Sequence, residues 1–157
     1  MADKVFARTL TKWDKRGIEL TKLVASWSKD HSSKCGAAIF DVHHRVLSVG
    51  FNGLPARVFD HDNRLEDRTI KYPLTIHAET NAILFAGVSL RSSMTTLYTW
   101  PYMPCIRCMA LIIQAGIGNV VSPTNYWTGK ENDIELTKQI FKESEATHLW
   151  LYDPKEL

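Results

Sequence analysis

The sequence predicts an α/β fold of three layers, a five-stranded mixed sheet with helices on both faces. Helical stripes alternate along the chain with short runs rich in β-branched and apolar residues. Glycine and proline mark the joints between them, at Gly87, Pro101 and Gly116. The length, 157 residues, suits one compact domain rather than two, so residues 1–157 are read as a single unit.

Residues 12–29 read as a helix, because Trp13, Gly17, Leu20, Val24 and Trp27 recur along one side. Residues 29–33 (KDHSS) break that pattern. Residues 36–41 (GAAIFD) and 45–51 (RVLSVGF) read as strands, with Val42-His43-His44 short enough to join them as a hairpin. Residues 52–75 read as irregular, and a loop of that length inside a compact domain is usually functional. Residues 77–87 read as a second helix ending at glycine, and 95–99 as a strand. Residues 105–115 form a third helix closed by Gly116, and 119–122 a short strand. Residues 133–141 form a fourth helix with Ile134, Lys138 and Phe141 along one side, and 147–152 (THLWLY) a last strand. The order α-β-β-α-β-α-β-α-β implies a mostly parallel sheet covered on both faces, with one antiparallel hairpin at its start.

Composition removes several classes. Apolar residues make up 45% and charged residues 23%, which excludes a disordered chain. No apolar run approaches the ~20 residues of a membrane span. The start, MADKVFAR, lacks the apolar core of a secretory signal, so a cytoplasmic location is expected. Three cysteines cannot build a disulfide framework, and the odd count fits a reducing compartment. Residues 1–34 carry eight Lys/Arg against four Asp/Glu, and residues 130–157 carry four against seven. Nucleic-acid binders concentrate basic charge in a stripe, so a nucleic-acid partner is not expected.

The residues that carry chemistry are His77 and Glu79 in HAE, and Cys105 and Cys108 in PCIRC. One imidazole and two thiolates are good zinc ligands, and three protein ligands leave the fourth tetrahedral position for water. Both segments fall at expected helix starts, where the macrodipole favours thiolate charge. Pro104 suits the first turn, where a missing N–H costs nothing. Residues i and i+2 do not face each other on a regular helix. At a helix start, however, His77 can point at a metal while Glu79 reaches the same cavity. A carboxylate there can take a proton from water and return it to a ring nitrogen and a departing amine. H-x-E with P-C-x-x-C is the signature of zinc nucleobase deaminases. The competing readings are a structural zinc knuckle, with Cys35 or His61 as fourth ligand, and a redox C-x-x-C pair.

Further segments extend the match. Gly50-Phe51-Asn52-Gly53-Leu54-Pro55 resembles the G-Y-N-G-x-P stretch of the deoxycytidylate (dCMP) deaminases. Lys71-Tyr72-Pro73 leading into His77-Ala78-Glu79-Thr80-Asn81-Ala82-Ile83 is similar to that family's K-Y-P…H-A-E-x-N-A-I. Residues 33–37 and 111–117 resemble its other segments, so the likeness spans roughly residues 13–128. The resemblance implies the cytidine-deaminase fold, one zinc-dependent deaminase domain, and a homo-oligomer, often a hexamer or smaller. It implies zinc held by His77, Cys105 and Cys108, with Glu79 as the proton shuttle. It implies conversion of dCMP to dUMP and ammonia, with Asn52 on the deoxyribose and the Ala78 backbone beside Glu79 on the pyrimidine edge.

Several residues carry two readings. Asn52 is either that sugar contact or a turn residue. Arg57 is the phosphate candidate, a solvated surface arginine being its other reading. Trp100 and Tyr102 read as packing residues, with stacking on a base as the alternative. Tyr126 and Trp127 follow a strand end, where α/β proteins place ligands. Cys35 reads as a small buried residue. Residues 57–71 hold four basic and four acidic side chains and read as a solvated loop or a lid. The expected partner is a small-molecule nucleotide. The competing functions are a polynucleotide deaminase acting on tRNA adenosine or single-stranded DNA cytosine, a deaminase of 5-substituted dCMP, dCTP or guanine, and a zinc-stabilised binding module without turnover.

Overall fold

Thr11 starts the first long helix. Its hydroxyl accepts from the Asp14 N–H while the Asp14 carboxylate accepts from the Thr11 N–H, a reciprocal cap. The computed structural model describes residues 5–87, 90, 92–129 and 133–157. Helix α1 spans Lys12–Ala25 and buries Asp14, Gly17, Ile18, Thr21, Val24 and Ala25. Gly17 and Val24 of the expected stripe face the sheet, but Trp13 and Trp27 are 37% and 50% exposed. The reason is close approach: a Cβ on Gly17 would strike the Tyr98 ring, so only small residues fit there. Trp13 instead stacks on His44 at the hairpin tip, with the Arg16 guanidinium also over its ring.

After a short first strand, β1 (Val5–Ala7), and α1 come the hairpin strands β2 (Gly36–Phe40) and β3 (Val46–Phe51). Asp41 shapes their turn by accepting from the N–H groups of His43 and Arg45. Residues 52–75, expected to be irregular, contain two short helices, α2 (Asp62–Glu66) and α3 (Arg68–Leu74). Asp67, between them, caps α3 through the Thr69 N–H. The remaining elements are α4 (Ala78–Phe85), β4 (Ser92–Trp100), α5 (Ile106–Ala115), β5 (Ile117–Pro123), α6 (Ile134–Glu143), β6 (His148–Tyr152) and a 3₁₀ turn at Pro154–Glu156. Gly116 ends α5 in the left-handed conformation that a glycine C-cap supplies.

The sheet order is β1-β6-β5-β4-β2-β3. The five expected strands are all present, and β1 adds a three-residue edge strand parallel to β6. β4, β5 and β6 are parallel, while β2 is antiparallel to both β3 and β4. Alternation along the strands divides the core. Ala37, Ile39, Leu97, Val120 and Leu149 face α4, α5 and α6 on one side, where Ala82, Ile112 and Phe141 meet them. Ala38, Phe40, Tyr98, Val121 and Tyr152 face Ile18 of α1 on the other.

One contact fixes the site's backbone. A Cβ on Gly50 of β3 would collide with the Ala78 carbonyl and the Ala82 N–H of α4, so strand and helix touch through backbone. Gly50→Ala must push α4 outward. We expect it to destabilise the fold by about 3 kcal/mol, measured by urea unfolding.

Candidate functional site

Two of the longer helices begin at residues that do not cap them, as does the short α2 at His61. His77 is the N-cap of α4 and Cys105 the N-cap of α5, and neither side chain bonds to its own helix. By contrast Thr11, Asp67 and Asp133 all cap theirs. The backbone of His77 and Cys105 is extended, as it is at the capped starts, but the imidazole and the thiol face each other instead of their own helices. His77 is pinned by its neighbour Ile76, which exchanges two backbone hydrogen bonds with Gly53 at 2.8 and 3.1 Å. On α4 the Asn81 amide donates to the Phe51 carbonyl at 2.8 Å. Met103, just before Cys105, is held by its N–H on the Asn125 carbonyl at 2.7 Å.

The result brings three donor atoms together. His77 Nδ1 lies 3.4 Å from Cys105 Sγ and 3.4 Å from Cys108 Sγ. Tetrahedral zinc with ordinary Zn–S and Zn–N bonds would hold nitrogen and sulfur about 3.6 Å apart, so the donor set fits that ion. Cys35 and His61 are outside this group. Cys35 stays a neutral thiol, pushed up to about 12 by burial and then by the Glu79 charge. His61 stacks on Phe59 instead.

Electrostatics separate the two sulfurs. A hydrogen bond from Cys108, reinforced by one from His77, holds Cys105 well below the ordinary thiol range. Cys108, bonded to Cys105 and buried, is pushed up. His77 is raised by its bond to Cys105. Glu79 is buried, with Oε2 at 3.6 Å from Cys108 Sγ, and burial pushes its carboxyl up. A carboxyl with its charged form disfavoured, beside a metal-ligand set, is suited to exchanging protons.

These groups open onto a cavity of about 330 Å³, within the usual range for a small-molecule site. Residues 11–124 match the family model for the cytidine and deoxycytidylate deaminase zinc-binding region. The chain belongs to this family. It is 39% identical over 145 residues to the uncharacterized deaminase in the luxG 3′ region of Aliivibrio fischeri, covering 90% of this chain and 95% of that one. It is 34% identical over 137 residues to the deoxycytidylate deaminase of Mus musculus, covering 80% and 70%. The fold matches the dCMP deaminase of cyanophage S-TIM5 in complex with dCMP and dUMP, with TM-score 0.69 and 20% identity over 92% of this chain and 99% of that one. A tRNA:A34 deaminase shares the fold at TM-score 0.54 and 22% identity, over 88% of this chain and 97% of its own.

Within this deaminase frame the other anticipated residues fall unevenly. Ala78 and Asn52 border the cavity. The buried Asn52 amide already bridges two loops, accepting from the Cys35 N–H and donating to the Ser33 carbonyl, each at 2.8 Å. One amide N–H and one lone pair are left for a ligand. Arg57 is absent from the cavity wall. It sits exposed on a turn closed by the Val58 N–H on the Pro55 carbonyl, with φ +68. Tyr126 is 49% exposed and also off the wall, while its neighbour Trp127 borders the cavity with Tyr72 edge-on to it at 6.0 Å. Trp100 and Tyr102 both line it, half-buried.

The sequence reading missed a buried ion pair in that wall. Lys71 Nζ meets Asp30 Oδ1 at 3.2 Å and Ser32 Oγ at 3.1 Å. The same Asp30 oxygen accepts the N–H groups of Ser32 and Ser33. The Lys-Tyr-Pro segment drew notice as a motif, but nothing local marks a lysine's partner 41 residues away. Both side chains are more than nine-tenths buried, so removing the cation strands a carboxylate. We expect Lys71→Met to cost about 3 kcal/mol in thermal or urea unfolding, and the double variant with Asp30→Asn to recover part of it.

Proposed function

We propose that this protein deaminates dCMP to dUMP and ammonia, with zinc held by His77, Cys105 and Cys108. The observation that carries the reading is the three-donor group with the buried Glu79 carboxyl beside it, at a nucleotide-sized cavity. The family match and the deoxycytidylate deaminases among the relatives support the substrate class. A structural zinc site would use a fourth protein ligand, and neither Cys35 nor His61 joins the three donors.

When bound, zinc supplies the Lewis acidity that makes water a nucleophile near neutral pH. The protein's own groups do the rest. The reaction adds water across the C4–N3 bond and expels the C4 amine. Glu79 takes a proton from the attacking water and delivers it to N3, then takes the second proton from the new C4 hydroxyl and gives it to the amine, which departs as ammonia and leaves the C4 carbonyl. The Ala78 N–H is the first amide of α4 and has no acceptor among the described residues, although Ala78 is buried. It is available to the pyrimidine carbonyl, and Asn52 offers its remaining N–H and lone pair to the sugar. Trp100 and Trp127 give the base apolar walls that exclude water. Among the described residues no helix is long and apolar enough to cross a membrane. Residues 1–157 act in this reading as one deaminase domain within a homo-oligomer.

Three measurements test it. Incubation with dCMP, 5-methyl-dCMP, dCTP, deoxycytidine, guanine and single-stranded DNA should release ammonia fastest from dCMP; preference for the polynucleotide would reverse the reading. Glu79→Gln should keep one zinc per chain and lose roughly 10³-fold in kcat. Cys108→Ser should lose both metal and activity, measured by elemental analysis beside the assay.

A further inference from the structure

We propose that Arg107 is the specificity residue that recognises the 5′-phosphate of the substrate. This rests on the nucleotide reading above and deepens it. A monoester phosphate carries close to two negative charges at neutral pH, so its site needs a cation. Three cationic or titratable basic side chains border the cavity: Lys71, His77 and Arg107. His77 belongs to the metal-ligand group. Lys71 has its charge matched by Asp30 and two of its three donors already engaged. Arg57, the candidate from sequence, lies away from the cavity wall.

Arg107 differs from all of these. It is exposed, borders the cavity, and makes no ion pair or hydrogen bond among the described residues. Its backbone is tightly fixed, because it lies in the first turn of α5 between Cys105 and Cys108, both of which point at the metal position. A planar guanidinium on a fixed backbone can meet two phosphate oxygens at once, which an ammonium point charge cannot match. The assignment also gives the cavity its charge logic. The Asp30–Lys71 pair is neutral, bound zinc would balance two thiolates, and the remaining acid of the lining, Glu79, is buried, so Arg107 is the cation free to meet an anion at the rim.

The test compares steady-state kinetics of the zinc-loaded wild type, Arg107→Gln and Arg107→Lys on dCMP and on deoxycytidine. We expect the ratio of kcat/KM for dCMP over deoxycytidine to fall roughly 30-fold in Arg107→Gln, mostly through KM for dCMP, with Arg107→Lys recovering part. Zinc content equal to wild type shows that the flanking cysteines still hold their metal. Where deoxycytidine turnover is too slow to measure, the inhibition constant of deoxyuridine over that of dUMP reports the phosphate's share of binding, and this ratio should fall in Arg107→Gln as well. An unchanged ratio in Arg107→Gln, or an equal loss on both substrates, overturns the assignment. A wild type that deaminates neither substrate overturns the nucleotide reading itself, and the role of Arg107 with it.

Discussion

The structure turns on two helix starts that give up their own caps. At an ordinary helix N-terminus a Ser, Thr, Asp or Asn side chain satisfies a free N–H, worth about 1 kcal/mol. Here the positions belong to His77 and Cys105, whose side chains leave their helices to meet each other and Cys108. The cost is offset in two ways. The positive ends of α4 and α5 favour negative charge on sulfur. A bound metal then links the two helices across 28 residues of chain. A capping side chain would have taken the N–H of Glu79 or Thr80, so the Ala78 N–H, first in the helix, stays open to a ligand with or without a cap.

Everything around the site serves to hold those two starts in place. The Gly50 backbone lies directly on α4, the Gly53–Ile76 bridge fixes the residue before His77, and Asn125 holds the chain before Cys105. Asn52 and the Asp30–Lys71 pair tie the segment between α1 and β2 to the loop after β3 and to α3. These are buried polar links between segments far apart in sequence. Their worth lies in positioning, because a buried ion pair gains little over apolar packing of equal volume.

This division explains what could be read in the sequence. The strands, the α5 stop at Gly116 and the donor set were legible because each rests on local chemistry: alternation, a left-handed glycine, or ligand types at fixed spacing. The one-residue turn between His77 and Glu79 was legible once a helix start was placed between them, since the extended N-cap lets side chains at i and i+2 share a cavity. The orientation of α1 was not, because it depends on Gly17 meeting Tyr98, which lies beyond five intervening strands and helices. Helices α2 and α3 were hidden by charge and by Pro73, and α3 is held by an Asp67 cap that reads equally well as loop composition. Arg57 was chosen by residue type, and Tyr126, with Trp127, by the strand end before it. Of these the cavity wall keeps only Trp127 and adds Arg107, because which side chains border it follows from tertiary structure.

The central claim is that one imidazole and two sulfurs hold zinc with the fourth place free of protein. X-ray absorption at the zinc edge of the purified protein tests it most directly. The account requires two sulfurs at about 2.3 Å and two lighter atoms at about 2.0–2.1 Å. One lighter position should change when a pyrimidine product analogue is added. Three or more sulfurs, or a shell of protein atoms that no ligand perturbs, would contradict it.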